Sequence, residues 1–283
     1  MRFIRILSYS DDTDSDDDGV EDSVDPHRLV SDVEKVDLPN IYSGIDYLNV
    51  DGANGGDQGW WGYYDKSLKQ FYTSEDYRMG YSGCGVMAMT DLELYLTTQN
   101  AGYQAPYQTI SYNSTNGNIS KADYMSYAEF NRDNVYLLMA TPVDDIVGVI
   151  PTDMVMGIEN YLKKNNHPYQ QAVWAPTLSK TGMISRIETM ISNGIPVVFS
   201  YHSFIEDIRM YGSDKDAITM GDNKLQSPRS HYMTIIGYTK YLRDNGKDYG
   251  YILKVESWGN IYYINYDEYA KKISILSNIL EIK

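Results

Sequence analysis

The sequence predicts an α+β fold, with helices in the first part of the chain and an antiparallel sheet in the last. Three observations carry this. Several segments before residue 194 repeat apolar residues at helical spacing. From Pro196 onward, short runs rich in Val, Ile, Tyr and Phe alternate with turn residues. Within that later region, D-N-G-K-D (Asp244–Asp248) is a turn between two strand-like runs, as an antiparallel pairing requires.

In chain order, Asp14–Asp25 reads D-S-D-D-D-G-V-E-D-S-V-D. Asp14, Asp16 and Asp18 fall at positions 1, 3 and 5 of a calcium loop. Gly19 falls at the sharp turn, Val20 at the carbonyl position, and Asp22 and Asp25 at positions 9 and 12. The spacing resembles the thrombospondin type 3 repeat and EF-hand-like loops of bacterial surface proteins. That resemblance implies bound Ca²⁺ and an extracellular or cell-surface setting. Residues 1–28 are therefore expected to form an acidic calcium segment and 29–40 a linker. Met1–Ser10 does not read as a secretory signal, so export points to a chain processed from a longer secreted protein.

The remaining residues, 41–283, are expected to form one domain. Tyr42–Tyr72 is glycine-rich and aromatic, which suggests loops between short extended pieces, with Gln58, Trp60 and Trp61 near a cleft. Gly80–Leu96 contains Cys84, flanked by Ser82, Gly83 and Gly85 and followed at once by an apolar helical run. Helices are expected over Lys121–Arg132, Pro151–Asn165 and Thr181–Asn193, the last stopped by Gly194. Strands are expected from Pro196 and over Tyr232–Tyr241, Tyr249–Glu256 and Asn260–Tyr266.

Composition narrows the function. The net charge is −15, which argues against a nucleic-acid surface. Nine acidic residues crowd into residues 11–25 with no lysine or arginine among them. No apolar run is long enough to span a membrane. One cysteine excludes an internal disulfide, and no CxxC, HExxH or phosphate-cradling glycine loop is present.

The candidate chemistry is therefore that of the lone thiol. Cys84 opens a helix, whose free N–H groups and dipole favour a thiolate. Of the four histidines, His231 starts the clear strand S-H-Y-M-T-I-I-G-Y, and V-E-S-W-G (Val255–Gly259) ends the next one. An antiparallel pairing sets those two ends side by side. Cysteine, histidine and a third polar group thus follow in the order that nucleophilic thiol catalysis uses. His202, in S-Y-H-S, competes for the base, and His167 reads as a loop residue.

These segments, with N-G-I-P-V-V (Asn193–Val198), resemble the papain-like cysteine peptidases, in particular the C39-like branch, over roughly Gln58–Tyr269. The resemblance implies a two-lobed fold, with a helical lobe carrying Cys84 and an antiparallel β lobe carrying His231. Cys84 is then the nucleophile and His231 the base. Glu256 falls where the family has its orienting asparagine, and Trp258 shields the bond between them. The papain spacing for the oxyanion glutamine falls on Arg78, so Gln58 in D-Q-G-W-W-G takes that role. The implied activity is hydrolysis of amide bonds in a protein or peptide substrate, through a thioester and without a catalytic cofactor. Two alternatives remain: an inactive papain-like binding module, and another Cys–His amidase or acyltransferase such as a cell-wall hydrolase.

Overall fold

The computed structural model describes residues 33–62, 79–80, 82–105, 109–133, 149, 151–176, 179–202, 207–220, 224–228, 230–242, 248–270 and 278–283. The expected calcium loop, with Asp14, Asp16, Asp18, Val20, Asp22 and Asp25, lies outside them. So do His27, Arg78 and most of the D-N-G-K-D turn.

The described chain is mixed α and β, built on one large antiparallel sheet. Its strands are β1 (Val33–Asp37), β4 (Ala172–Pro176), β5 (Val197–His202), β6 (Met210–Tyr211), β7 (Lys224–Gln226), β8 (Ser230–Leu242), β9 (Tyr249–Ser257), β10 (Asn260–Asn265) and β11 (Asn278–Ile282). They lie in the order β4-β11-β5-β8-β9-β10-β6-β7. A separate small hairpin pairs β2 (Asn49–Val50) with β3 (Ala53–Asn54). The helices are α1 (Cys84–Gln99), α2 (Lys121–Asn131), α3 (Pro151–Lys164), α4 (Lys180–Ser192), α5 (Asp214–Thr219) and α6 (Tyr266–Ala270). A 3₁₀ turn spans Gln58–Trp61.

The strand β8 is the spine. One edge pairs with β9; the other pairs with β5 over its first half and with β1 over its second. A bulge at Ile236 lies where that second neighbour changes. The expected linker is corrected here. Val33–Asp37 is a strand hydrogen-bonded to β8, and Leu38 behind it is buried in the core. Glu34, Lys35 and Asp37 are exposed or partly so, so the segment has the composition of a linker although its backbone completes a sheet.

The helix α1 is buried on every face from Gly85 to Thr98 and packs against β8 and β5. It is therefore a core helix, and it carries Asp91 and Glu93 into the interior with its apolar residues. The helix α3 is amphipathic instead. It starts on Pro151, buries Met154, Ile158, Tyr161 and Leu162, and ends in two lysines, as the dipole favours. The helix α4 is capped by Ser179, whose hydroxyl accepts the Gly182 N–H at 3.1 Å. It closes in a Schellman motif: Ile195 N–H reaches Met190 O and Gly194 N–H reaches Ile191 O, both at 2.9 Å, with Gly194 at φ +71°. That turn delivers the chain directly into β5. Among the described residues, no helix is long and apolar enough to cross a membrane.

Candidate active site

Cys84 is the first residue of α1, and its flanking glycines are steric requirements. A Cβ on Gly83 would lie 2.4 Å from the Met79 carbonyl oxygen, and one on Gly85 would lie 2.8 Å from the Val149 side chain. The thiol is free and half-buried. Burial pushes it above the usual thiol range, while the backbone N–H groups of Tyr232, Gly85 and Cys84 itself pull in the opposite direction.

His231, the second residue of β8, is buried. Its Nε2 hydrogen-bonds the Ser257 hydroxyl at 2.6 Å. Its ring stacks on Trp258, with centroids 4.1 Å apart and planes 14° off parallel. Trp258 and Gly259 form the two-residue turn between β9 and β10, with φ +50° and +68°. Positive φ at both positions is the signature of a type I′ hairpin, which favours Asn-Gly. A bulky aromatic there is strained, and the turn uses it to cover the imidazole. Desolvation lowers His231 from 6.5 to about 3.

One narrow crevice is lined by Gln58, Cys84, Met87, His231, Glu256, Ser257 and Trp258, among others. Cys84, His231 and Gln58, remote in sequence, therefore meet at one place. Gln58 opens the 3₁₀ turn, and its amide nitrogen donates to Gly80 O at 3.0 Å, four residues before the cysteine. That bond ties the glutamine to the segment of chain entering α1.

Two expectations need correction. Glu256 does not orient the imidazole. Its side chain turns to Asp91 and accepts the Gly259 N–H at 3.3 Å, and Ser257 is the group on His231. Adjacent strand residues face opposite ways, so a one-residue choice of partner changes the face. The helix end that favours a thiolate at Cys84 is opposed by burial. Burial drives both Cys84 and His231 toward their neutral forms, and among the described residues no hydrogen bond joins them.

The other histidines stand apart. His202 bonds Ser230 Oγ at 2.8 Å across β5 and β8, and His167 bonds the backbone of Tyr169. Neither lines the crevice. Ser257 and Asp91 are the residues that sequence reasoning missed. Asp91 was findable, since it lies seven residues after Cys84 and so on the same helical face. Among the described residues, no group of three or more His, Cys, Asp or Glu is arranged to hold a metal ion. Comparison with protein-family models, curated proteins and solved structures finds no match.

Proposed function

We propose that this chain is a thiol hydrolase acting on amide bonds of peptides, with a papain-like, C39-like arrangement of its lobes. The observation that supports it best is the shared crevice, where the lone cysteine at a helix N-terminus faces an imidazole held by Ser257 and capped by Trp258. When His231 donates from Nε2 to Ser257, Nδ1 is left as the base. In the reaction the Cys84 proton passes to Nδ1, and the sulfur attacks the amide carbonyl. The tetrahedral oxyanion is met by the Cys84 N–H and the Gln58 amide, each such donor worth roughly 3 kcal/mol of barrier. The intermediate collapses to a thioester as His231 returns the proton to the leaving amine. Water, deprotonated by His231, then releases the acid.

Both neutral-form shifts have one cause, the exclusion of water. The neutral pair can still react, because the proton passes from Cys84 to His231 as the sulfur attacks. The N-terminal acidic segment is proposed to hold Ca²⁺ and to place the protein outside the cell.

The experiment is alkylation of Cys84 by iodoacetamide against pH, with peptide hydrolysis measured alongside. An activated thiol reacts with an acidic limb below pH ~7, and Cys84→Ala abolishes both labelling and hydrolysis. The inactive binding module is the second reading, favoured by the lack of a hydrogen bond between Cys84 and His231 among the described residues and by burial that disfavours charge on both. A single alkylation limb above pH ~9 and no hydrolysis would establish it in place of the enzyme. A cell-wall amidase is distinguished by its products, released from peptidoglycan fragments rather than from peptides.

A further inference from the structure

We propose that Asp91 and Glu256 share one proton, forming a clasp that positions the groups around Cys84. The inference rests on the thiol-hydrolase reading for its effect on turnover, not for the clasp itself. Three segments meet at the pair. Asp91 belongs to α1, two turns beyond Cys84. Its Oδ1 accepts the Gly56 N–H at 3.0 Å, two residues before Gln58, and the Tyr124 hydroxyl at 2.7 Å. Glu256 lies beside Ser257, and its Oε1 accepts the Gly259 N–H that closes the Trp258 turn. Gly55, at φ +106°, passes so close that a Cβ would sit 2.9 Å from the Glu256 carboxyl carbon and 3.1 Å from Asp91 Oδ2. One pair therefore ties the oxyanion segment, the nucleophile's helix and the turn that holds His231.

Chemistry assigns the proton. Both residues are fully buried, at 0% and 2% exposure. Among the described residues, no N–H or fixed hydroxyl donates to Asp91 Oδ2. The carboxyl facing it is Glu256, which can reach it only as an acid. The groups facing the pair are the phenols of Tyr47 and Tyr124, the carboxylate of Asp57 and, across the crevice, Cys84 and His231. Asp57 opposes charge on Glu256, whereas the Tyr124 hydroxyl, donating to Asp91 Oδ1, favours the charge on Asp91. Burial, and then the Asp91 charge, hold Glu256 well above the usual carboxylate range, and burial raises Asp91 to about 6. The pair thus holds one proton at neutral pH and titrates as a unit.

The sign follows from linkage. Carboxyls raised in the folded state lend stability that is complete below their unfolded values and lost as pH rises through the folded ones. Above that point two carboxylates face each other in a dry site and the clasp opens.

The test uses the full chain and the variants E256Q, E256L and D91N. In E256Q the side-chain amide donates permanently to Asp91 Oδ2, while its carbonyl oxygen still accepts the Gly259 N–H. Melting temperature is followed from pH 5 to 9.5, with Cys84 alkylation and hydrolysis measured on the same samples. Wild type is expected to lose stability more steeply than E256Q above pH 6, and its alkaline loss of activity to lie at least about one pH unit lower. D91N flattens the same slope, whereas E256L melts lower at every pH because Asp91 Oδ2 then has no donor. Parallel melting curves for wild type, E256Q and D91N, or an E256L as stable as E256Q, would overturn the clasp. Melting reads the pair whether or not the protein is an enzyme. Steep wild-type melting without hydrolysis therefore removes the hydrolase reading alone, and hydrolysis with parallel curves removes the clasp alone.

Discussion

Replacing Trp258 by asparagine separates two roles of that side chain. The turn places Trp258 at φ +50° ahead of a glycine, and asparagine is the residue such a turn prefers. Relieving the strain returns about 1–2 kcal/mol. Losing the stack on His231 removes about 0.5–1.5 kcal/mol beyond the area uncovered. Trp258 also packs on the core and meets Tyr262 edge-on at 6.2 Å, so the lost apolar area outweighs the strain relief and the melting temperature is expected to fall.

The imidazole is expected to respond strongly. Its fall from 6.5 to about 3 corresponds to roughly 5 kcal/mol of lost hydration of the imidazolium. The indole covers a face of the ring, so removing it rehydrates the imidazolium and moves His231 up toward its ordinary value. The sign on stability is that of a depressed base: stability is complete above 6.5 and is lost as pH falls toward the folded value. W258N is therefore expected to lose less stability than wild type as the pH falls from 7 to 4. The assay is an NMR titration of the His231 ring proton, run beside melting at pH 4 to 7. A His231 that still titrates below ~4 in W258N would refute the shielding role of the indole. A melting temperature at pH 7 equal to or above that of wild type would refute the packing role of the indole.

Two further outcomes follow from groups around the crevice and core. Ser257→Ala leaves His231 Nε2 buried without its 2.6 Å partner, which costs about 1–3 kcal/mol of stability. Ring ¹⁵N shifts should also report a mixed tautomer, and an unchanged tautomer would mean Ser257 does not select it. Glu93 is raised to about 8 by burial, opposed by donors from Tyr127 at 2.6 Å and Asn131 at 3.2 Å. Its stability contribution is complete below ~4.5 and lost as pH rises through about 8. Glu93→Gln should thus melt higher than wild type at pH 9 but not at pH 5; equal melting at pH 9 would show that the carboxyl is not the titrating group.

The local features were legible because near neighbours determine them. Apolar spacing sufficed for the α3 face at Met154, Ile158, Tyr161 and Leu162, and Gly194 marked the end of α4. The strands from Val197, Ser230, Tyr249 and Asn260 begin within two residues of where alternation and turn residues put them. Cys84, His231 and Gln58 line one crevice, and it is the resemblance to papain-like peptidases that names Gln58 with the other two. What composition alone misread was the segment at Val33–Asp37, since an edge strand presents charged side chains much as a linker does.

Tertiary structure decided the rest, because it depends on faces and on water. Whether Glu256 or Ser257 meets the imidazole is a matter of which side of β9 faces His231, and the register of β9 against β8 sets that. The protonation of Cys84 and His231 depends on how much solvent the crevice excludes, which no motif spells out. The pairing of Asp91 with Glu256 joins residues 165 positions apart. Only a folded chain brings two such carboxyls close enough to contend for one proton.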